Sequence, residues 1–326
     1  MRPELSVVIP VYNEVENVAD LHAQLTAALE PMDRAYEILL VDDGSRDGTL
    51  ARLLEIEAQD PAVRVLRLRR NFGQTAAFAA GFDHARGEVV VTSDGDLQND
   101  PADIPRLLET LEEGYDIVCG WRRRRRDPIS KRLPSWLANR LISWATGVHL
   151  HDYGCSLKAI RADVVKHLRL YGEMHRFIPA VASWMGVTLA EVEVNHRPRE
   201  RGQSKYGLGR IFRVLLDLFT VKFMLAYGTR PAHLFGLWGL GLGAGGAAIL
   251  VYLAYVKFFQ DEAIGGRPLL LVGFVLLLFG FLLINVGLLA EILVRTYHES
   301  QGKPIYMVKE VRPDAAEGEG YALPRR

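Results

Sequence analysis

Short apolar runs alternate with stretches of helical periodicity through the first third of the chain. Residues 5–11 (LSVVIPV) form a continuous, β-branched run of the kind that makes a strand buried on both faces of a parallel sheet. Residues 15–29 then place apolar side chains at helical spacing. The alternation continues with predicted strands at 37–41 (EILLV), 63–68, 88–92 (EVVVT) and 116–119 (DIVC). Helices are predicted after Ser45, at 74–85 and at 103–112. Strands and helices in this rhythm predict an α/β domain with a mostly parallel sheet. Such sheets gather ligands at the carboxyl ends of their strands. Three polar clusters sit there: Tyr12-Asn13-Glu14, Asp42-Asp43-Gly44 and Asp94-Gly95-Asp96.

The pattern changes from about residue 133. Residues 133–150 are amphipathic with two tryptophans, and 211–227 are strongly apolar with a few charges. Each suits either a core-packing helix or one lying in a membrane interface. The stretches 232–256 and 268–290 contain no Asp, Glu, Lys or Arg. Each exceeds the roughly 20 residues that cross a bilayer, which predicts two transmembrane helices at about 232–257 and 268–292. The expected layout is a cytosolic α/β domain at 1–210, an interfacial helix at 211–230, the transmembrane hairpin at 231–295 and a tail at 296–326 with a disordered end. Lys222, Arg230, Arg295, Lys303 and Lys309 lie outside the hairpin, whereas its short connection carries Asp261 and Glu262 with one arginine. The positive-inside bias then places both termini in the cytosol and the connection outside. Gly239, Gly241, Gly243 and Gly245 form overlapping small-xxx-small pairs, suited to packing on the partner helix or to homo-oligomer formation.

Composition narrows the classes. The 326 residues are 49% hydrophobic with zero formal net charge, so whole-chain charge points to no nucleic-acid partner. Cys119 and Cys155 are the two cysteines, which excludes a disulfide framework and a CxxC zinc site. The N-terminus enters a strand directly, without the basic start and cleavage site of a signal peptide.

The chemistry centres on residues 89–99 (VVVTSDGDLQN). Two aspartates one residue apart at the end of a buried strand repel each other unless a cation lies between them. Hard oxygen ligands with phosphate nearby select Mg²⁺ or Mn²⁺; the plainer alternative is a turn in which each aspartate caps a backbone N–H. Asp42 at the second strand end suits a base or ribose, while its neighbours Asp43 and Ser45 suit helix capping. Neither GxxxxGK[ST] nor GxGxxG after a strand occurs, against a kinase, an ATPase or a dinucleotide enzyme.

Taken in order, VVIPVYNE, LLVDDGSRDGT, NFGQTAAFAAGF, SDGDLQNDP, DYGCSLKAIR and RERGQSKYG resemble glycosyltransferase family 2 with the GT-A fold. The resemblance is strongest to the polyprenyl-phosphate branch, which includes dolichol-phosphate mannosyltransferases and bacterial undecaprenyl-phosphate glucosyl- and aminoarabinosyl-transferases. It extends over nearly the whole chain, and the QxxRW motif of the processive synthases is absent. It implies a Rossmann-like, mostly parallel sheet with interfacial helices and two C-terminal transmembrane helices. It also implies metal-dependent, inverting transfer of a sugar from a UDP- or GDP-sugar to undecaprenyl phosphate. By the same resemblance Asp94, Asp96 and Gln98 hold the metal, and Pro10, Tyr12, Glu14, Asp42 and Asp94 line the donor pocket. Asp96 and Asp152 are the catalytic residues so implied, with Asp152 facing the sugar.

The acceptor side rests on cations near the membrane surface. Five arginines run from Arg122 to Arg126, followed by Lys131 and Arg132, and RERGQSKY supplies Arg201, Ser204 and Lys205. Arginine forks suit a lipid phosphate, and a basic run also attracts anionic headgroups. The family pattern assigns phosphate binding to Arg122, Arg132, Arg201, Ser204 and Lys205. The rival readings are transfer to another lipid or a polysaccharide, and a non-catalytic membrane partner. The sugar is left open.

Overall fold

The computed structural model describes residues 3–123, 139–140, 142–143, 146–168, 170, 174–198, 223 and 231–300. The chain divides into two compact units, Met1–Gly228 and Thr229–Arg326.

The first unit is built on seven strands: β1 (Leu5–Val11), β2 (Tyr36–Asp42), β3 (Val63–Arg67), β4 (Val89–Thr92), β5 (Ile117–Trp121), β6 (Lys158–Arg161) and β7 (Leu189–Glu193). Their order is β3-β2-β1-β4-β6-β5-β7. The pairs β1/β2, β2/β3, β1/β4 and β5/β7 are parallel, and β6 runs antiparallel to both β4 and β5. The chain thus steps outward from β1 to β3 and returns to the other side of β1 as β4. That reversal opens a crevice at the carboxyl ends of β1 and β4.

Helices α1 (Val18–Leu29), α2 (Thr49–Gln59), α3 (Gln74–His84), α4 (Ile104–Glu112), α5 (Ala162–His167) and α6 (Ile178–Ser183) cover the sheet. The alternation of β1 divides two cores. Val7, Ile9 and Val11 join Leu21, Leu25 and Leu107 on one face, and Val8 joins Phe78 and Phe82 on the other. Each such buried side chain contributes about 1.5–3 kcal/mol by removal from water.

The predicted strands through β5 are present, with ends shifted by a residue or two. Helix α1 begins three residues later than its periodicity predicts. Asn13 adopts φ 52°, its N–H donates to Ser45 Oγ at 2.9 Å, and Glu14 N–H donates to Thr49 Oγ1 at 2.9 Å. These bonds hold the segment after β1 as a loop.

In the second unit α7 (Pro231–Phe259) and α8 (Pro268–Ser300) form a hairpin, as the uncharged runs predict. Pro231–Phe259 and Pro268–Leu293 are long and apolar enough to cross a membrane, and with their outward-facing apolar side chains they mark the chain as a membrane protein. The helices meet through glycines. A Cβ on Gly280 would lie 2.6 Å from the Gly239 oxygen and the Gly243 nitrogen, and one on Gly246 would lie 2.7 Å from the Gly273 oxygen. Gly241 and Gly245 face open space. Gly280→Leu is expected to force the two backbones apart, because the obstacles are main-chain atoms that cannot rotate away. A drop in melting temperature of the full chain in detergent, with loss of a disulfide engineered between α7 and α8, measures this.

Candidate active site

The three polar clusters meet at the crevice. Gly95 makes this close approach: a Cβ there would lie 3.2 Å from the Pro10 carbonyl oxygen, so the Asp94-Gly95-Asp96 turn rests against the end of β1. Pro10, Tyr12 and Glu14 are half-buried beside it. Asp96 Oδ1 accepts the Gln98 N–H at 3.2 Å, and Leu97 between them sits at φ 62°.

At the end of β2, Asp42 is fully buried. Its Oδ1 accepts the Ser45 N–H at 3.1 Å, and its Oδ2 has no hydrogen-bond partner among the described residues. A buried oxygen left in that condition costs about 1–3 kcal/mol until a donor reaches it. Asp43 is fully engaged instead, accepting the N–H groups of Phe72 at 2.7 Å and Gly73 at 2.9 Å. Burial pushes its carboxyl above the ordinary range, and the two N–H groups only partly offset this. Gly44, at φ 69°, lies under this loop, and a Cβ there would meet the Arg70 carbonyl carbon at 2.5 Å. The loop delivers α3, whose first residue, Gln74, donates from Nε2 to Asp94 Oδ1 at 2.6 Å. Asp43 therefore positions Asp94 through the start of α3. Gln74 lies in the NFGQ motif, but nothing in its spacing reveals that it reaches Asp94.

The segment after the Asp94–Asp96 turn is pinned at Asp100. Asn195 Nδ2 donates to Asp100 Oδ2 at 3.0 Å, and Arg197 pairs with Oδ1 at 2.6 Å. Burial raises the Asp100 carboxyl, but these bonds together hold it below its ordinary value. Asn99 Nδ2 donates to Ser156 Oγ at 2.8 Å, which ties the segment before β6 to the same turn.

Asp152 is 3% exposed and is gripped by Arg122 as a fork, with Nε to Oδ2 at 2.7 Å and Nη2 to Oδ1 at 3.0 Å. Gly154 N–H donates to Oδ1 at 3.1 Å. Burial alone would lower the Arg122 pKa, but the Asp152 carboxylate holds it above its ordinary value. The implied sugar-facing residue and the implied phosphate ligand are thus partners of each other. Arg132, Arg201, Ser204 and Lys205 lie outside the described residues.

A small cavity beside Asp94 is walled by Gln74, Tyr153, Ser156, Lys158, His175 and Arg176. The antiparallel β6, which carries Lys158, was not foreseen in the sequence because KAIR is short and lacks alternation. Both cysteines are free and buried, and burial pushes the Cys119 thiol up to about 12 and raises the Cys155 thiol as well, which disfavours the thiolate form of each.

The described residues contain no group of three or more His, Cys, Asp or Glu that would hold a metal by themselves. Two carboxylates at a strand-end crevice are hard oxygen donors of the kind that suit Mg²⁺ or Mn²⁺.

Fold and site together define an α/β domain with a polar, carboxylate-bearing crevice at its topological switch point. The family Glycosyl transferase family 2 matches residues 6–169, and the chain belongs to it. It is a glycosyltransferase. It is 48% identical over 322 residues to the dodecaprenyl-phosphate galacturonate synthase of Rhizobium johnstonii, covering 96% of this chain and 94% of that one. It is 37% identical over 312 residues to the undecaprenyl-phosphate 4-deoxy-4-formamido-L-arabinose transferase of Shewanella sediminis, covering 94% of this chain and 92% of that one. The structure of glucosyl-3-phosphoglycerate synthase from Mycobacterium tuberculosis with Mn²⁺ and UDP-glucose shares the fold, with TM-score 0.53, 19% identity and coverage of 70% of this chain and 81% of that one.

Proposed function

We propose that the protein transfers a sugar from a nucleoside diphosphate onto a polyprenyl phosphate at the cytosolic face of the inner membrane, with inversion at the anomeric carbon. The observation that carries this reading is the crevice itself: an unsatisfied buried Asp42 oxygen and the Asp94–Asp96 turn share one switch point, in a chain that also carries an apolar hairpin. The relatives named for dodecaprenyl and undecaprenyl phosphate support the acceptor class.

On this reading Asp42 Oδ2 accepts a hydrogen bond from the nucleoside, and Pro10, Tyr12 and Glu14 line its pocket. Asp94 and Asp96, with Gln98, would hold a divalent cation, which would supply charge neutralisation at the diphosphate. A phosphate oxygen of the acceptor attacks the anomeric carbon as the carbon–oxygen bond to the diphosphate breaks. One displacement inverts the configuration. Arg122, with Arg132, Arg201, Ser204 and Lys205, receives the acceptor phosphate. The hairpin concentrates the domain at the lipid.

The test uses the full chain in lipid nanodiscs with undecaprenyl phosphate, Mg²⁺ or Mn²⁺, and radiolabelled UDP- and GDP-sugars. Label is expected in an acid-labile lipid phosphate, with EDTA abolishing transfer. Label found in diacylglycerol or polymer, or in no product with any donor, refutes the proposal.

A further inference from the structure

Beyond β7 the chain crosses back over the segment that leaves the Asp94–Asp96 turn. Asn99 and His196 pair as an antiparallel bridge, and the Arg197 N–H donates to the Gln98 carbonyl oxygen at 2.9 Å. Asp100, 8% exposed, reinforces the crossing with its side chain. Its Oδ2 accepts the Asn195 amide at 3.0 Å, and its Oδ1 pairs with Arg197 Nη2 at 2.6 Å. Arg197 Nη1 donates in turn to Gln24 Oε1 at 2.7 Å, so one guanidinium joins α1 to the segment after the turn. The Asn195 N–H donates to Asp103 Oδ2 at 2.7 Å, just before α4.

These ties begin two residues after Asp96 and end two residues before Arg199, where RERGQSKY begins. Pro198 lies between, and its fixed φ narrows the backbone freedom from the crossing to Arg199. Under the proposed function Asp94, Asp96 and Gln98 serve the donor, whereas Arg201, Ser204 and Lys205 receive the acceptor phosphate. The crossing is bonded to one group and runs in sequence into the other. Because Gln98 itself is bonded to Arg197, a shift of the turn must carry residues 195–197 with it while the ion pair holds. Arginine suits this place better than lysine, since its fork reaches Asp100 and Gln24 at once.

We propose that Asp100 and Arg197 are positioning residues that couple the two substrate sites: occupancy of the donor crevice fixes residues 195–205 for the acceptor. This rests on the reading of residues 94–98 as the donor turn. Coupling of this kind is reciprocal, so acceptor binding also tightens the donor turn.

The experiment uses the full chain in lipid nanodiscs and follows amide hydrogen exchange in peptides covering 94–100 and 195–205. The probes are UDP and GDP, each with Mn²⁺, and each variant is compared with and without nucleotide. In the wild type one probe is expected to slow exchange at least about fivefold in both peptides. Arg197→Met is expected to keep the slowing at 94–100 within about twofold and to lose it at 195–205. Asp100→Asn is the second variant: it removes the charge held by Arg197, keeps an acceptor for the Ala102 N–H, and should give the same split. Arg197→Lys should restore part of the coupling. With undecaprenyl phosphate and the radiolabelled donors, Arg197→Met should raise the acceptor KM at least about tenfold and leave nucleotide Kd within about twofold. Arg64→Met is the structural control, because its 2.6 Å pair with Glu37 lies near the start of β2 and β3, at the far end of the strands from the crevice. It should lower the melting temperature without splitting the two peptides. Slowing confined to 94–100 in the wild type, slowing of both peptides kept by Arg197→Met, or equal loss in both overturns the inference. A split reproduced by Arg64→Met does so too, and each of these outcomes leaves the donor reading standing. Failure of UDP and GDP alike to slow 94–100 sinks the donor reading, and this inference with it.

Discussion

Asp152→Asn is expected to lower kcat at least about a hundredfold while donor affinity stays within a few-fold. Both Asp152 oxygens are occupied, one by Arg122 Nε and the other by Arg122 Nη2 and the Gly154 N–H. A carboxylate so engaged is poorly placed to take a proton, and there is little proton to take. A phosphate monoester has a second pKa of about 6 and is largely ionised at neutral pH. Asp152 is therefore assigned as a positioning residue that aims the Arg122 guanidinium. The side chains of the pair are 13% and 4% exposed, so removing one charge strands the other away from water. Breaking such a pair costs about 3–5 kcal/mol, and asparagine, which keeps one acceptor, falls at the low end. Three measurements separate positioning from base catalysis. The pH–rate profile of Asp152→Asn should keep its shape, with no recovery well above the acceptor pKa. Arg122→Lys should reproduce much of the loss, because lysine cannot make the two-pronged contact. The double variant should lose little more than either single one, since both act as one unit. Recovery of Asp152→Asn at high pH would make Asp152 the base and overturn the assignment.

Asp96→Asn is expected to remove transfer activity, by at least about a hundredfold, and to leave the fold intact. Asp96 is half-buried at a loop, its bond within the protein includes the Gln98 N–H, and asparagine retains an acceptor for that bond. What asparagine cannot supply is the charge that makes a carboxylate a ligand for a hard divalent cation. Melting temperature should change by no more than a few degrees, whereas the Mn²⁺-dependent gain in UDP affinity should disappear. Near-normal transfer by Asp96→Asn would remove Asp96 from the metal site. Asp94→Asn carries an added effect: it weakens the acceptor of the Gln74 amide, so α3 and the turn should loosen together.

Much of this protein was legible in its sequence because the signals were local. Continuous apolar runs predict β1, β2 and β4, because a strand covered on both faces must be apolar at every position, and the strand–helix rhythm around them predicts β3 and β5. Uncharged stretches longer than a bilayer is thick predict α7 and α8 for the same kind of reason, since lipid tolerates no unpaired charge along a span. The placement of Asp42, Asp94 and Asp96 at strand ends follows from counting along those runs. β6 and β7 were not legible. KAIR and LAEVE are short and mixed, and they become strands by pairing with β4 and β5 at long sequence separation.

What only the tertiary structure decided is which charges face one another. No spacing in the chain brings Arg122 to Asp152, Gln74 to Asp94 or Asp43 to the loop before α3. Those contacts span up to 30 residues and depend on strand order, side-chain direction and the close approach that Gly44 and Gly95 permit. Nor does the sequence show that Lys158 is buried in a cavity wall rather than solvated, because a lysine in KAIR reads as a surface residue until β6 is found between β4 and β5. Hydrophobic burial is written along the chain as a pattern, whereas electrostatic partnership is a property of distance in space, and distance is set only once the sheet has closed.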